Sequence, residues 1–231
     1  WNTPQSEAIR NFNDIEANLI KAAEEKKSGR HFHPMIIGVT WPSYWDIPAI
    51  SYGNKAGDAD ELGMTWLNVL YNDVLRKVKD WSVTNNHKVP IKIVAIGHSF
   101  GARATSRAVF SSPLLPGNQA ETKPHTPVDL MVLLEGAFSM NRFSRDGGIE
   151  GNPYRDYISL SPMKTVLTAS AHDSAVNQGF WAPFAGSEKS FEKACNSNAL
   201  DPKTLRCLPA VHASTACPKN LRDQPIKIDN L

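Results

Sequence analysis

The sequence has no long hydrophobic run and no excess of charge of one sign. Its longest apolar run, Leu130 to Leu134, has the length of a strand and falls far short of the about 20 residues with which a helix crosses a bilayer. The 25 Lys and Arg residues nearly balance 23 Asp and Glu residues, and no basic stripe with interleaved aromatic residues is present. We therefore expect neither a membrane span in this chain nor nucleic acid as a partner.

Cysteine is scarce, and its placement bears on compartment and metal binding. Cys195, Cys207 and Cys217 all lie in the loop-rich segment 174–231, and the absence of a Cys-x-x-Cys pair argues against a zinc site. Neither a metal nor a cofactor is expected. In an oxidising compartment two of them could form a disulfide, which predicts a secreted or periplasmic protein; three reduced cysteines in a cytoplasmic enzyme are the alternative. The chain opens on Trp1 without an initiator Met or a signal peptide, which predicts processing or truncation.

Helical patterns occur in two places in the first half of the chain. Apolar residues at helical spacing predict one helix over 4–27 and a second that opens at Asp58 and Asp60. The second helix is expected to bury one apolar face, formed by Leu62, Trp66, Val69, Leu70, Val74 and Val78. The stretch 41–57, which lies between these helices and is rich in aromatic residues, Pro and Gly, is expected to be a long loop.

Apolar runs at 35–41, 91–97 and 128–137 predict buried strands. The stretches 163–169 and 225–229 are further strand candidates. Since the connections between them are too long for hairpins and several carry helical patterns, we expect an α/β fold with a mostly parallel sheet and helices on both faces. One domain over 1–231 is predicted, with 174–231 as its loop-rich end.

The most specific motif is Gly97-His98-Ser99-Phe100-Gly101, placed between a predicted strand and a predicted helix. Gly-x-Ser-x-Gly in that context is typical of a nucleophile elbow, a strained turn that presents a serine hydroxyl above the end of a parallel strand. A Cβ on Gly97 or Gly101 is expected to collide with the neighbouring backbone where strand and helix converge. Ser99 is therefore the candidate nucleophile.

A serine hydroxyl needs a base, and the base needs an orienting carboxylate. Asp173 is the preferred acid because it follows the predicted strand 163–169 by a short loop, and Glu135, directly after the apolar core of 128–137, is the rival. Either could instead be an ordinary loop or rim carboxylate. His212 is the only histidine that follows both acids, so it is the candidate base; the alternatives are an ordinary loop histidine or a base beyond Leu231.

These features together resemble the α/β-hydrolase superfamily, close to its lipase and esterase members. The resemblance rests on the helical start after Trp1-Asn2, the elbow around Ser99, and the strand followed by Asp173. It implies that the backbone N–H of Phe100 supplies one half of an oxyanion hole. In the family the other half comes from the residue after a His-Gly pair, a position that corresponds to Trp1.

The function expected from the motif and the resemblance is a serine hydrolase that acts on carboxylic esters through an acyl-enzyme on Ser99. Its partner would be a small-molecule acyl ester, and the aromatic stretch 41–52 would line the acyl pocket, act as a lid or simply cover the sheet. Two other classes remain open. One is a binding or interaction protein of the same fold without activity, and the other is a different acyl transfer, by a peptidase, thioesterase or acyltransferase. The sequence does not indicate an oligomeric state.

Overall fold

The computed structural model describes residues 5–26, 32–41, 48–84, 91–111, 113–115, 126–138, 142 and 163–168. The chain divides into two compact units, Trp1–Pro48 and Ala49–Leu231. The three cysteines and the predicted strand 225–229 lie outside the described residues. No described helix combines the length and the apolar character needed to span a membrane.

The described residues of the first unit form a helix and the segment 32–41, which is neither helix nor strand. Helix α1 (Gln5–Glu25) confirms the helix predicted over 4–27, with Glu7 in its first turn, where a negative charge is favourable. The strand predicted at 35–41 is wrong, because residues 32–41 carry no strand assignment. The segment packs on a helix instead: a Cβ added to Gly38 would meet the ring of Phe12. At Gly38 the segment thus lies against a side chain of helix α1.

The second unit is built on a parallel sheet of three described strands in the order β1–β2–β3. They are β1 (Val94–His98), β2 (Leu130–Leu134) and β3 (Lys164–Thr168). Val94 pairs with Leu130, which pairs with Lys164, and the register continues to His98, Leu134 and Thr168. Three of the five predicted strands and the parallel α/β character are therefore confirmed. The carboxyl ends of all three strands meet at one edge of the sheet, which we call the carboxyl edge.

Burial differs between the two faces of the sheet, contrary to the expectation for β1. Ala95 and Gly97 are buried, whereas Val94 and Ile96 on the other face are 50% and 43% exposed. The buried face packs against helix α4 (Phe100–Phe110), most of whose residues are buried. The core is completed by large side chains with almost no exposure, among them Phe110, Phe138, Met131 and Leu133.

The second predicted helix begins ten residues earlier than expected. Helical structure runs without a break over 48–84: helix α2 (Pro48–Leu62), two π-helical stretches (Gly63–Leu67 and Leu70–Leu75) and helix α3 (Arg76–Thr84). The predicted loop 41–57 is therefore wrong from Pro48 onward. Proline fits the first turn of a helix because its missing N–H would have no intrahelical partner there.

The face that this helical run buries is also not the predicted one. Trp66 and Val74 are 77% and 50% exposed, while the small residues Ala56, Ala59 and Gly63 are buried. Close approach to helix α4 explains the difference, because a Cβ on Gly63 would lie 2.5 Å from the carbonyl oxygen of Ala104. Backbones that approach this closely require small residues, and small residues add little to a hydrophobic periodicity.

Asp129 joins the amino ends of the first two strands. Its Oδ2 accepts hydrogen bonds from the Ile93 N–H at 2.9 Å and from Lys79 Nζ at 2.8 Å, and its Oδ1 accepts one from Lys92 Nζ at 3.1 Å. Partial burial acts to raise the pKa of this carboxyl, but the hydrogen bonds from Lys79, Ile93 and Lys92 hold the pKa below its usual value. Asp129 lies at the edge of the sheet opposite to Ser99.

Candidate active site

Ser99 occupies the turn between β1 and helix α4, so the predicted sequence of strand, turn and helix is confirmed. Its backbone has φ 52° and ψ −119°. Among the described residues other than glycine, only Ser99 and Glu135 have a positive φ. Such a conformation costs a non-glycine residue on the order of 1–3 kcal/mol and persists only where the surroundings enforce it. The strain is local to the residue that the motif singles out.

Backbone hydrogen bonds to the segment after β2 enforce this conformation. The Ser99 N–H donates to the Leu134 carbonyl oxygen at 3.0 Å. The Ser99 carbonyl oxygen accepts two bonds, from the Arg103 N–H at 3.2 Å and from the Ala137 N–H at 3.1 Å. The turn therefore takes its shape from the next strand as well as from its own helix.

The Ser99 hydroxyl is not used to cap helix α4. Ser99 occupies the N-cap position, where a serine side chain normally accepts a hydrogen bond from a first-turn N–H, but no such bond is formed here. The side chain is half-buried. A hydroxyl at this position that serves no capping function is available for other chemistry.

The two glycines of the motif have different roles. A Cβ on Gly97 would lie 2.5 Å from the Gly101 carbonyl oxygen and 2.6 Å from both N and Cα of Ala102, as predicted. The same expectation is wrong for Gly101, where an added Cβ meets no described atom within 4 Å. Gly97 lies where the strand passes under the helix, whereas Gly101 lies on the open side of the first turn of helix α4.

This contrast predicts opposite effects for two matched substitutions. Gly97→Ala is expected to lower the free energy of unfolding by roughly 1–3 kcal/mol, because backbone atoms cannot move aside as a side chain can. Gly101→Ala is expected to raise it by up to about 1 kcal/mol, because alanine is the better helix former and space is available. Urea denaturation of both variants tests this; changes of the same sign would contradict the packing described.

Phe100 begins helix α4, and its side chain is almost fully buried beneath the turn. Its N–H therefore lies at the helix N-terminus, where the macrodipole favours a negative charge. That position suits the role predicted for it as an oxyanion donor. The predicted second donor Trp1, the predicted acid Asp173 and the predicted base His212 lie outside the described residues.

Glu135, the rival acid, lies beside Ser99. Because His98 pairs with Leu134, Ser99 and Glu135 occupy neighbouring positions one residue past the strand ends. Glu135 has φ 46°, and its N–H donates to the Thr168 carbonyl oxygen at 3.2 Å. One carboxylate oxygen accepts a long hydrogen bond of 3.4 Å from the Thr168 hydroxyl. The carboxylate thus has an identified contact with β3.

No protein-family model, curated protein or solved structure matches the chain. The evidence for a functional site is therefore the geometry of the residues at the carboxyl edge. In the part of the chain that the structure describes, no three His, Cys, Asp or Glu residues are grouped so that they could hold a metal ion.

A buried ionic cluster behind Ser99 was missed by the sequence analysis. Asp60 of helix α2 accepts hydrogen bonds from two arginines: from Arg103 Nη2 at 2.7 Å, and from Arg142 Nη1 and Nη2 at 2.9 and 2.7 Å. The side chains of Arg103 and Arg142 are 6% and 3% exposed. An arginine in the middle of the small apolar residues of helix α4 was the available signal, but its partners are remote in sequence.

Burial acts to raise the pKa of Asp60, but the hydrogen bonds and charges of Arg142 and Arg103 outweigh it and hold the pKa below its usual value. A depressed carboxylate pKa contributes stability that is fully present above the unfolded-state pKa of about 4 and is lost as the pH falls through the lower folded-state pKa. The cluster therefore stabilises the fold at neutral pH and weakens in acid.

Asp60→Asn is expected to lower the free energy of unfolding at pH 7 by about 3–5 kcal/mol, because it removes the buried carboxylate charge that the guanidinium groups of Arg103 and Arg142 share. Below about pH 4, the free energy of unfolding should also decrease less with falling pH in the variant than in the wild type. Urea denaturation at pH 7 and at acid pH measures both effects. Asp80→Asn, at an exposed position of helix α3, is the control and should change stability by about 0.5 kcal/mol or less. Equal losses in both variants would rule out the cluster as the cause.

Proposed function

We propose that this protein is a serine hydrolase of the α/β-hydrolase type that acts on carboxylic esters through an acyl-enzyme on Ser99. The observation that carries the proposal is the conformation of Ser99: a strained residue at the carboxyl end of a parallel strand, whose hydroxyl does not cap the helix that follows. A positive φ at a serine in a strand–turn–helix unit is the geometry that lifts a nucleophile above a sheet. The parallel order of the three strands supports the same fold.

In the proposed mechanism, the Ser99 hydroxyl attacks the acyl carbonyl carbon while His212 accepts its proton, and Asp173 keeps the imidazole in the required tautomer. The negative charge on the carbonyl oxygen is stabilised by the Phe100 N–H and, in the family pattern, by the Trp1 N–H. Removal of one such donor typically costs roughly 3 kcal/mol of transition-state stabilisation. His212 then protonates the leaving alcohol, and water releases the acid from the acyl-enzyme.

A fluorophosphonate probe tests the proposal directly because it phosphonylates an activated serine. Trypsin cleavage after Lys92 and Arg103 releases the peptide 93–103, in which Ser99 is the only serine. The expected result is a stoichiometric adduct on this peptide in the native chain, and no adduct after denaturation. An unlabelled native protein, or an adduct on another peptide, would contradict the proposal.

A substrate panel separates the proposed ester hydrolysis from other acyl chemistry. Esters with short and long acyl chains, thioesters and peptides should be compared by kcat/KM on the same preparation. We expect the esters to be hydrolysed fastest. A thioester or peptide preference would retain Ser99 as nucleophile and change the substrate class, whereas the absence of both turnover and labelling would favour a binding protein.

A further inference from the structure

The backbone of Ala137 bonds to Ser99 through its N–H and to Arg103 through its carbonyl oxygen. Its N–H donates to the Ser99 carbonyl oxygen at 3.1 Å, and its carbonyl oxygen accepts a hydrogen bond from Arg103 Nη1 at 3.1 Å. The Arg103 N–H also donates to the Ser99 carbonyl oxygen at 3.2 Å. These three hydrogen bonds close a ring through Ser99, Ala137 and Arg103, which we call the Ser99 ring.

The guanidinium group in this ring has a fixed position. Arg103 Nη2 bonds to Asp60 Oδ2 at 2.7 Å, and Arg142 bonds to both oxygens of the same carboxylate. Since the Arg103 side chain is 6% exposed, solvent cannot easily replace these partners. The planar fork of arginine bonds two acceptors at set angles, which the point charge of a lysine does not reproduce. Asp60 therefore orients the group that holds Ala137.

We propose that Arg103 is a positioning residue for the Ser99 nucleophile. Its guanidinium group holds the Ala137 carbonyl oxygen and so positions the backbone of Ala137, the Ala137 N–H holds the Ser99 carbonyl oxygen, and the strained backbone of Ser99 thereby directs its hydroxyl toward the acyl carbon. The inference rests on the proposed function. Arg103 takes no part in bond making, and its effect is on geometry, for which a displacement of about 1 Å can lower a rate by roughly 100-fold.

The variant Arg103→Lys tests this role because it keeps the positive charge and removes the fork. We expect kcat for an ester and the first-order rate of fluorophosphonate labelling to fall by about 10- to 100-fold, with KM changed by less than about twofold. Asp60→Glu is the second variant, since it retains all charges and moves the carboxylate by one methylene. This variant should also lower kcat, and it allows the same test if Arg103→Lys does not fold.

Lys79→Met is the matched control for lost stability. Lys79 forms a partly buried ion pair with Asp129 at the opposite edge of the sheet. Its removal should lower the melting temperature without changing kcat at temperatures where the variant is folded. An unchanged kcat in folded Arg103→Lys and Asp60→Glu, or a loss in Lys79→Met as large as theirs, would overturn the inference.

Amide hydrogen exchange tests the Ser99 ring without relying on the reaction. In Arg103→Lys the Ala137 N–H should exchange faster than in the wild type, while the Met131 N–H of β2 keeps its protection. Unchanged exchange at Ala137 would overturn the inference. A wild-type protein that is not labelled by the fluorophosphonate contradicts the proposed function itself, whereas normal wild-type labelling with unaffected ring variants contradicts the positioning role alone.

Discussion

Replacing Ser99 by alanine is expected to lower kcat for ester hydrolysis by roughly 10⁴- to 10⁶-fold and to abolish fluorophosphonate labelling. In the proposed mechanism the hydroxyl oxygen is the atom that forms the acyl-enzyme, and alanine has no such atom. The effect should be on chemistry rather than on folding, because alanine at this position adopts the same strained backbone and the hydroxyl does not cap helix α4. Initial rates with a chromogenic ester and adduct mass measure the two losses.

Ser111→Ala is the control for this substitution. Ser111 follows the last residue of helix α4, at the far end of the helix from Ser99, and is also half-buried. The variant should keep wild-type turnover and labelling. If Ser99→Ala is still labelled on the peptide 93–103, or if Ser99→Ala keeps the wild-type kcat, Ser99 is excluded as the nucleophile.

Asp173→Asn is expected to lower kcat by about 10⁴-fold, because in the proposed mechanism an asparagine would stabilise the wrong tautomer of His212. Glu135→Gln is the matched comparison, since it is also an isosteric change from acid to amide. We expect it to lower kcat by no more than about tenfold, the equivalent of one weakened hydrogen bond to Thr168. Steady-state kinetics of both variants decide which carboxylate orients the base.

The opposite pattern would reassign the acid. If Glu135→Gln abolishes turnover and Asp173→Asn does not, Glu135 is the orienting carboxylate, in line with its position beside Ser99 at the carboxyl edge. Both variants should be compared at equal folded fraction, because Glu135 carries a strained backbone and its loop bonds to Ser99 through Leu134 and Ala137.

Patterns that depend on near neighbours in sequence were sufficient for the sheet and for the turn at Ser99. Short stretches rich in apolar residues, between connections too long for hairpins, identified β1, β2 and β3, and the two glycines with a serine between them identified the turn. Each signal reflects a local requirement: apolar residues for a strand inside a sheet, and a missing Cβ at Gly97 for a strand that passes beneath a helix.

Features that depend on partners remote in sequence could not be predicted in this way. The run 35–41 resembles a strand in composition, but a strand requires a ladder partner, and this segment packs on side chains of helix α1. The buried face of 48–84 is defined by helix α4, to which Gly63 lies close. Arg103 and Arg142 share Asp60, which lies 43 and 82 positions away from them, and no local pattern connects these residues.

The hydrogen bonds of Ser99 also have a consequence for the order in which the protein is assembled. Outside helix α4, the Leu134 carbonyl oxygen and the Ala137 N–H hold the backbone of Ser99 in its conformation. Both residues are synthesised well after the turn itself. Parallel pairing offers no hairpin from which the sheet could grow, and contacts between distant positions form slowly. During translation, the residues of β1 and helix α4 are therefore synthesised first, and Ser99 takes its final conformation only once Leu134 and Ala137 have left the ribosome and docked.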